Sequence, residues 1–304
     1  MIKISKKQIN QICEKLNESL VGFEFLGSGN HNDNYVIETD GNKYVLRIEN
    51  NPQFKNLVNE FNVLKELKVG LGPEVYFLDE SKSIIPAGYF VEEFIEGKHP
   101  EKVNDKFLTA MAVWLKKLHG ISKPCKKHSM IKAIKPYFNN VTKHKNALFP
   151  EMIVKIDQLF ERVNDFVREN DNLFSSRTTN SLIHRDLSCE NILFDNRIVR
   201  LIDWEFSGYD FPEWDLVYFM QSLELKDKQK ELFLRIYGYP DTGAGKKKLL
   251  LISFLNTCGD IGYSVWRLGL IKAGELDKKL KKGTFERLLV DMDLMDKIIS
   301  KLEK

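Results

Sequence analysis

The sequence predicts an α+β fold in which a small antiparallel sheet precedes a larger, mostly helical part. Residues 21–50 are rich in Val, Tyr, Phe and Ile and are broken by Gly and Asn clusters, as in strands joined by tight turns. Residues 53–68 carry apolar side chains at helical spacing, which indicates one long helix beside these strands. Beyond about residue 107 the helical spacing dominates, and only a short apolar stretch at 192–202 interrupts it. Strands first and helices later favour the α+β class.

The first part of the chain is predicted to begin with a helix and to continue as hairpins. Ile9, Ile12 and Leu16 recur at helical spacing, which predicts a short amphipathic helix over residues 5–18. A Gly-rich joint and the tight turn at 40–41 then divide the next segment. We therefore predict three strands, over residues 22–27, 33–39 and 43–48.

Two further strands complete the predicted sheet. "GPEVYFLDE" (72–80) and "AGYFVEEFIEG" (87–97) have the apolar and aromatic content of strands. Together with the hairpin strands and the long helix, they make a five-stranded antiparallel sheet with one main helix. "EGKHP" (96–100) marks the exit from this part. We therefore predict an N-terminal lobe over residues 1–96 and a larger, mostly helical C-terminal lobe over residues 97–304.

The C-terminal lobe is predicted to be helical apart from one small β insert. Its first helices are expected over residues 107–120 and 151–169, and the segment 213–301 is helical by pattern. The β insert consists of two short apolar strands, 192–194 and 198–202.

Composition and charge exclude several classes of protein. The 46 basic and 43 acidic side chains leave a formal charge of +3, too weak to indicate a nucleic-acid partner. The four cysteines lack metal-binding spacing and lie far apart, as in a reducing compartment. The N-terminus lacks the apolar core of a signal peptide, and the longest apolar stretch, 249–255, is too short for a membrane span. We expect a cytoplasmic, soluble protein; no pattern indicates an oligomeric state.

The Gly-rich joint between the first two strands is a candidate phosphate site. Gly27, Ser28 and Gly29 precede Asn32 there. Glycine lets backbone N–H groups approach phosphate oxygens closely. A hairpin loop that merely contains glycines is the commoner explanation of such a pattern, so this signal alone is weak.

Arg47 is a charged residue in an otherwise apolar strand. Glu60 lies on the following helix, so an ion pair between the two would hold that helix to the sheet. The same guanidinium could contact phosphate oxygens. The alternative is an outward-facing arginine on an edge strand, and the residues alone leave both open.

The segment "LIHRDLSCENILF" (182–194) carries polar residues between two apolar flanks. Asp186 lies five residues before Asn191, and Asp203 follows twelve residues later at the end of a predicted strand. A carboxylate, an amide and a second carboxylate at these spacings suit phosphoryl transfer, in which one orients the attacking hydroxyl and two hold Mg²⁺. The alternative is a polar turn between two strands.

"HRDLSCEN" followed by "LIDWEFSGYDFPEWDLVYF" resembles the kinase-like small-molecule phosphotransferases, which include aminoglycoside phosphotransferases and choline/ethanolamine kinases. The likeness covers almost the whole chain. It implies a two-lobed, protein-kinase-like fold that binds ATP between the lobes and phosphorylates a small molecule.

The resemblance also implies roles for individual residues. Asp186 corresponds to the catalytic base, Asn191 and Asp203 to Mg²⁺ ligands, and Glu205 to a further Mg²⁺ ligand. The residues that resemble nucleotide-binding positions are Gly27, Ser28, Gly29, Asn32, Arg47, Glu60 and the connector Glu92, Glu93 and Phe94. Support for the catalytic loop is implied for His184 and Asp215.

Within this superfamily the chain is most similar to the bacterial choline kinase branch. Arginine at position 47 and the "DWE" at 203–205 resemble that branch. Asp260, Tyr263 and Trp266 match its acidic and aromatic helix positions, with Tyr263 in place of a Trp. Aromatic faces beside an acid would suit a quaternary ammonium ion through cation–π attraction. Core packing is the alternative explanation of this spacing.

The predicted function is therefore ATP- and Mg²⁺-dependent phosphorylation of a small amino alcohol, with choline favoured. The alternatives are a kinase of another hydroxylated substrate, namely an aminoglycoside, ethanolamine or thiamine. A further alternative is a nucleotide-binding scaffold without catalysis; the presence of Asp186, Asn191 and Asp203 together argues against it.

Overall fold

The computed structural model describes residues 2–29, 31–50, 56–67, 70–125, 130–175, 177–195 and 197–302. The helices are α1 (Lys6–Leu16), α2 (Asn56–Glu66), α3 (Asp105–His119), α4 (Met130–His144), α5 (Pro150–Asn170), α6 (Asn172–Ser175), α7 (Glu213–Ser222), α8 (Asp227–Tyr237), α9 (Gly243–Ala273) and α10 (Lys281–Leu302). The strands are β1 (Leu20–Ser28), β2 (Asn32–Thr39), β3 (Lys43–Glu49), β4 (Val75–Asp79), β5 (Tyr89–Glu93), β6 (Ser122–Pro124), β7 (Thr179–Ile183), β8 (Ile192–Phe194), β9 (Val199–Leu201) and β10 (Gly208–Asp210).

The predicted five-stranded antiparallel sheet is confirmed. Its strand order is β1-β2-β3-β5-β4, so β5 pairs with β3 and β4 becomes an edge. Consecutive strands β1, β2 and β3 are hairpin neighbours, as the turn residues predicted. The pairing of β5 with β3 joins two strands that are distant in the sequence, and it makes β3 a central strand.

One face of this sheet packs against α1. The helix begins at a capping box, in which Ser5 and Gln8 bond each other's backbone N–H groups. Its buried side chains, Ile9 and Ile12 among them, contact apolar residues of β2, β3 and β5. The contacting sheet residues are Tyr35, Ile37, Tyr44, Leu46, Ile48, Tyr89 and Val91. Because successive strand residues alternate between faces, the other face of β3 carries Arg47.

Most predicted elements lie close to their observed bounds, with some omissions. The part of the predicted helix 53–68 that the structure describes is helical over Asn56–Glu66; residues 53–55 and 68 lie outside the described residues. The short strands β6, β7 and β10 and helix α4 were not predicted. Helix α4 contains Pro136, which normally ends a helix, so its pattern is weak.

The chain divides into two compact units. The first comprises residues 1–121, 182–209 and 219–237, and the second comprises 122–181, 210–218 and 238–304. The predicted division at residue 96/97 differs from these units and stays a prediction.

The second unit is organised around the long helix α9. Thr242 caps its N-terminus by accepting from the N–H of Gly245, and Gly274 ends it in a left-handed conformation with φ of 82°. Helices α4, α5 and α10 pack against it. In the same unit β6 pairs antiparallel with the start of β7. Among the helices of the described ranges, none is both long enough and apolar enough to cross a membrane.

Candidate active site

Arg47 lies at the centre of the first unit and bonds two carboxylates. Its side chain is 5% exposed on the central strand β3, so the edge-strand alternative is wrong. Its Nε lies 2.8 Å from Glu60 Oε2, and its Nη2 lies 2.5 Å from Asp203 Oδ1. Burial disfavours the guanidinium charge, but the carboxylates of Glu60 and Asp203 outweigh it and raise the pKa of Arg47.

Glu60 connects helix α2 to the segment after β9. Its fully buried carboxylate accepts from Arg47 and, at 3.0 Å, from the backbone N–H of Trp204. Burial raises the pKa of Glu60, while the charge of Arg47 and the Trp204 N–H oppose that rise. Strand, helix and the 203–205 segment are thereby held together by one charged network.

His184 ties the loop after β7 to the same segment. The ring is fully buried, with Nε2 at 3.1 Å from the carbonyl oxygen of Ile202 and Nδ1 at 3.3 Å from the backbone nitrogen of Asp186. Because a backbone N–H can only donate, Nδ1 accepts and Nε2 carries the proton that it donates to Ile202. The ring also packs edge-on against Trp204, with centroids 4.7 Å apart.

Asn191 bonds Asp186 directly. Its Nδ2 lies 2.9 Å from Asp186 Oδ2 and 3.0 Å from the Asp186 carbonyl oxygen. The carbonyl of Asn191 in turn accepts from the N–H of Ile202 at 3.1 Å. The catalytic-loop candidates are thus joined to the segment that leads to Asp203.

Two residues of this region have left-handed backbone. Arg185 has φ of 71° and Asp203 has φ of 64°. Such φ values are unfavourable for residues with a Cβ and persist where neighbouring contacts hold them. At Asp203 those contacts are the side-chain bond to Arg47 and the Trp204–Glu60 bond one residue later.

The Gly-rich joint is held by polar contacts at both ends. The Ser28 hydroxyl donates to Asp33, and the Gly29 N–H donates to the Asn32 carbonyl at 2.8 Å. Asn32, which is 3% exposed, donates from Nδ2 to Glu205 Oε2 at 3.2 Å. A Cβ at Gly27 would meet no atom within 4 Å, so the packing of the joint itself does not require glycine there.

Glu205 completes a cluster of carboxylates around Arg47. Burial first, and then the charges of Asp203 and Asp186, raise the pKa of Glu205 to about 7. No group of three or more His, Cys, Asp and Glu side chains is arranged to hold a metal ion within the described ranges. Mg²⁺ usually takes one or two carboxylates together with substrate phosphates, so the oxygen ligands present fit a nucleotide-dependent Mg²⁺ site.

Two backbone N–H groups of the connector already donate hydrogen bonds to neighbouring backbone carbonyl groups. The N–H of Glu93 donates to the Glu74 carbonyl at 2.7 Å, and the N–H of Phe94 donates to the Lys43 carbonyl at 3.2 Å. A nucleobase at these two positions would therefore have to use carbonyl groups, or an N–H group further along the chain.

The predicted substrate residues lie on α9 in the second unit. The rings of Tyr263 and Trp266 are 5.6 Å apart and tilted by 38°. Arg267 lies over the Tyr263 ring at 5.6 Å, and its Nη1 is 3.3 Å from the Tyr263 hydroxyl oxygen. Asp260 Oδ2 is 3.7 Å from Arg287 Nη2. The aromatic ring and the acid thus already have cationic partners from the chain.

Asp215 is fully buried in the first turn of α7. Its neighbour Glu213, also buried, pairs with Arg177 at 3.3 Å and accepts from the Tyr239 hydroxyl at 3.3 Å. Sequence reasoning missed Glu213, although the "PEWD" run contains two acids in one helical turn. It also missed Asp33, an acid in an apolar strand that fixes Ser28.

The chain belongs to the phosphotransferase enzyme family. The family model matches residues 22–247, which include the Gly-rich joint, Arg47, the 182–194 segment and the segment around Asp203. The predicted small-molecule phosphotransferase is thereby confirmed as a class of enzyme.

Two curated relatives carry the LicA name. The chain is 29% identical over 99 residues to a LicA homolog of Metamycoplasma hominis, a stretch that covers 33% of this chain and 37% of that protein. It is 24% identical over 231 residues to LicA of Haemophilus influenzae, which covers 75% of this chain and 66% of that protein.

Solved structures share the fold across nearly the whole chain. Choline kinase from Cryptosporidium parvum has a TM-score of 0.68 at 18% identity, covering 98% of this chain and 97% of that chain. Choline kinase LicA from Streptococcus pneumoniae has a TM-score of 0.67 at 20% identity, covering 95% and 98%. Spectinomycin phosphotransferase, solved with ADP and spectinomycin, has a TM-score of 0.65 at 13% identity, covering 97% and 98%. The predicted kinase-like fold is confirmed.

Proposed function

We propose that this chain transfers the γ-phosphoryl group of ATP to the hydroxyl group of a small amino alcohol, with choline as the favoured acceptor. The observation that carries the proposal is the linked set of Asp186, Asn191, Asp203 and Arg47 within one compact unit. A carboxylate base, oxygen ligands and a buried guanidinium are what phosphoryl transfer requires. The family match supports the reaction class, and the ADP complex of spectinomycin phosphotransferase supports a nucleotide donor.

Asp186 serves as the base of the proposed reaction. The hydroxyl oxygen of the acceptor forms a bond to the γ-phosphorus as the bond from that phosphorus to the bridging oxygen breaks. The hydroxyl proton passes to the Asp186 carboxylate, and ADP leaves with the electron pair of the broken bond. The 2.9 Å bond from Asn191 Nδ2 orients this carboxylate before substrate arrives, which lowers the cost of reorganisation.

The remaining oxygen ligands would hold Mg²⁺. Asn191 uses its Nδ2 on Asp186, which leaves its Oδ1 for a metal, and Asp203 and Glu205 add carboxylates. When bound, Mg²⁺ would offset the negative charge of the β- and γ-phosphates. Arg47, held by Glu60 through Nε and by Asp203 through Nη2, would add N–H donors of its guanidinium to the same phosphates.

Choline is favoured as acceptor by the residues of α9. Two aromatic rings within 5.6 Å and a nearby acid are suited to a quaternary ammonium group, which cannot donate hydrogen bonds. The LicA names of the curated relatives and the choline kinase structures support the same choice. A quaternary ammonium would have to displace Arg267 from the face of Tyr263.

An aminoglycoside is the second candidate acceptor. The observation that favours it is the pairing of Tyr263 with Arg267 and of Asp260 with Arg287, which leaves less room for choline. Its amino groups could compete for the Asp260 carboxylate by hydrogen bonds, which choline cannot form. The spectinomycin complex supports such an acceptor for the fold.

The reaction is tested with Asp186→Ala. We expect phosphoryl transfer to fall by about 10²–10⁴ while nucleotide binding, measured by calorimetry, stays within about twofold. Glu190→Ala is the matched control, because Glu190 is an exposed acid in the same loop. Equal ATP consumption by wild type and Asp186→Ala, with nucleotide binding retained, would favour the scaffold without catalysis.

The acceptor is tested with a panel of choline, ethanolamine, thiamine and aminoglycosides at saturating ATP. We expect choline to have the highest kcat/KM and Tyr263→Ala to raise its KM about tenfold without changing the KM for ATP. Turnover of an aminoglycoside without turnover of choline would show that the acceptor assignment is wrong.

A reducing, cytoplasmic setting is part of the proposal. All four cysteines, Cys13, Cys125, Cys189 and Cys258, are free thiols. Burial raises the pKa of the Cys258 thiol, so this residue is suited to packing rather than to nucleophilic chemistry.

A further inference from the structure

Glu92 is a buried carboxyl group that lacks a bonding partner. It lies near the end of β5 and is 6% exposed. Within the described residues, no hydrogen bond or ion pair reaches its side chain. Arg47, whose charge acts on Glu92, bonds Glu60 through Nε and Asp203 through Nη2 instead. A carboxyl group buried in this way is costly unless a ligand supplies the missing partner.

The strand register fixes the direction of the Glu92 side chain. Glu92 is paired with Val45 of β3, and Phe90 is paired with Arg47. Paired residues of adjacent strands share a face, so Glu92 lies on the same face of the sheet as Arg47. The intervening Val91 and Tyr89 point to the other face, where they join the core against α1.

Glu92 is therefore offset along the sheet from Arg47, a phosphate-binding candidate. Val45 and Arg47 are two residues apart on β3, roughly 6.8 Å along the strand. Val45 is half-buried, which leaves an apolar surface beside the carboxyl group. Burial raises the pKa of Glu92; the charge of Arg47 opposes this rise, and the charges of Glu60 and Asp203 add to it. Glu92 is the first residue of the connector.

We propose that the Glu92 side chain accepts a hydrogen bond from the exocyclic amino group of adenine and thereby selects ATP over GTP. This inference rests on the proposed function. It differs from the backbone contacts predicted for the connector, because it assigns base selection to a side chain.

The two purines differ at the edge that Glu92 would meet. Adenine presents an amino donor beside the N7 acceptor, whereas guanine presents two acceptors, O6 and N7. An ionised carboxylate accepts from the adenine amino group and repels O6. A protonated carboxyl group also accepts from the adenine amino group through its carbonyl oxygen, but its hydroxyl could donate to O6. The ionised carboxylate is therefore the form that favours adenine.

The proposal is tested by two substitutions with opposite effects on guanine. Glu92→Leu removes the acceptor, so we expect kcat/KM for ATP to fall about 10–100-fold and the ATP/GTP ratio of kcat/KM to fall at least tenfold. Glu92→Gln keeps the shape and adds an amide donor that O6 can accept. It should retain ATP activity within about threefold and raise kcat/KM for GTP about tenfold.

Glu38→Gln is the matched control. Glu38 is an exposed acid of the same sheet, on β2, and its side chain pairs only loosely with Lys43 at 3.6 Å. The ATP/GTP ratio should not change in this variant. If Glu92→Gln and Glu92→Leu lower activity equally with both nucleotides, Glu92 supports the fold and does not select the base, and the proposal is overturned.

Calorimetry with ADP and GDP separates this inference from the proposed function. A wild-type protein that binds ADP in preference to GDP but catalyses no transfer would overturn the proposed function. Loss of that preference in Glu92→Leu would still support base selection. Binding of ADP and GDP with equal affinity by the wild type would overturn base selection, whatever the catalytic result.

Discussion

At the scale of single residues, the site depends on the two bonds of Arg47. One guanidinium holds Glu60 through Nε and Asp203 through Nη2, so it fixes helix α2 and the segment after β9 at once. The planar guanidinium holds its N–H donors at fixed, widely spaced positions, whereas a lysine ammonium is a compact point charge. Position 47 is therefore sensitive to the shape of the side chain as well as to its charge.

Arg47→Lys tests this requirement. We expect kcat/KM to fall about 10–100-fold, because the ammonium group cannot keep both bonds and contact phosphate. Arg47→Ala should in addition lower the free energy of unfolding by about 3–5 kcal/mol, because Glu60 would be left buried without a counter-charge. Steady-state kinetics and urea denaturation measure the two effects. Full activity of Arg47→Lys would contradict the requirement for a fork.

The raised pKa of Glu205 predicts that the free energy of unfolding of the ligand-free protein depends on pH. Its folded-state pKa of about 7 lies above the usual value of 4.5 for a glutamate, so the folded state binds the proton more tightly. The resulting stability is present below about pH 4.5 and is lost as the pH rises through 7. Between pH 5 and pH 8 the wild-type free energy of unfolding should therefore fall, and Glu205→Gln should remove up to about 3 kcal/mol of that fall.

Urea unfolding in the presence of a metal chelator measures this effect. Glu286→Gln is a control, because the Glu286 side chain is 63% exposed. An unchanged pH dependence in Glu205→Gln would assign the effect to another group.

At the scale of elements, α1 is held to the sheet by one ion pair as well as by apolar contacts. Lys15 Nζ lies 2.5 Å from Asp79 Oδ2 on β4, and the Tyr89 hydroxyl donates to the same oxygen at 3.0 Å. The bond from Lys15, followed by those from Ser81, lowers the pKa of Asp79 below its usual range.

Asp79→Asn tests this attachment. A lowered pKa means that the stabilisation is present above about pH 3.8 and is lost as the pH falls further. We expect the substitution to cost about 1–3 kcal/mol of unfolding free energy at pH 7 and little near pH 2. Asp227→Asn is a matched control, because the Asp227 side chain is 92% exposed. Equal losses in the two variants would contradict a specific role of Asp79.

In the second unit, helices α4 and α9 pack closely at Gly269. A methyl group there would come within 3.0 Å of the His144 Cβ and closer still to the imidazole ring. We expect Gly269→Ala to cost about 1–3 kcal/mol of unfolding free energy through overpacking. His144→Ala in the same chain should restore much of that loss. Additive losses in the double variant would show that the two residues are not coupled.

At the scale of the whole molecule, ligand binding should stabilise the first compact unit selectively. A nucleotide and Mg²⁺ at 100 times Kd should add about 2.7 kcal/mol to the free energy of unfolding. Asp203→Asn should reduce that gain. Hydrogen exchange would measure where protection increases; we expect residues 182–209 and the strands around Arg47. Protection confined to the second unit would contradict the proposed nucleotide site.

The sequence predicted most of the fold because its signals are local. Hairpin turns, helical spacing and the order of elements each depend on residues close together in the chain, and these predictions hold for β1 to β3 and for α3 and α5. Helix α4 was not predicted, because Pro136 interrupts the helical pattern of its sequence. Strands β6, β7 and β10 were also not predicted; their segments, SKP, TNSLI and GYD, include Pro, Asn, Gly and Asp, which are depleted in strands.

The sequence by itself determined the set of chemical groups: the spacing of Asp186, Asn191 and Asp203, and the family that this spacing indicates. Only the tertiary structure decided that β5 pairs with β3, which makes Arg47 central and buried and turns the Glu92 side chain to the same face. The physical reason is that strand order and burial depend on pairings between distant segments. Local patterns specify which residues form a strand, but the partner strand decides what each side chain meets.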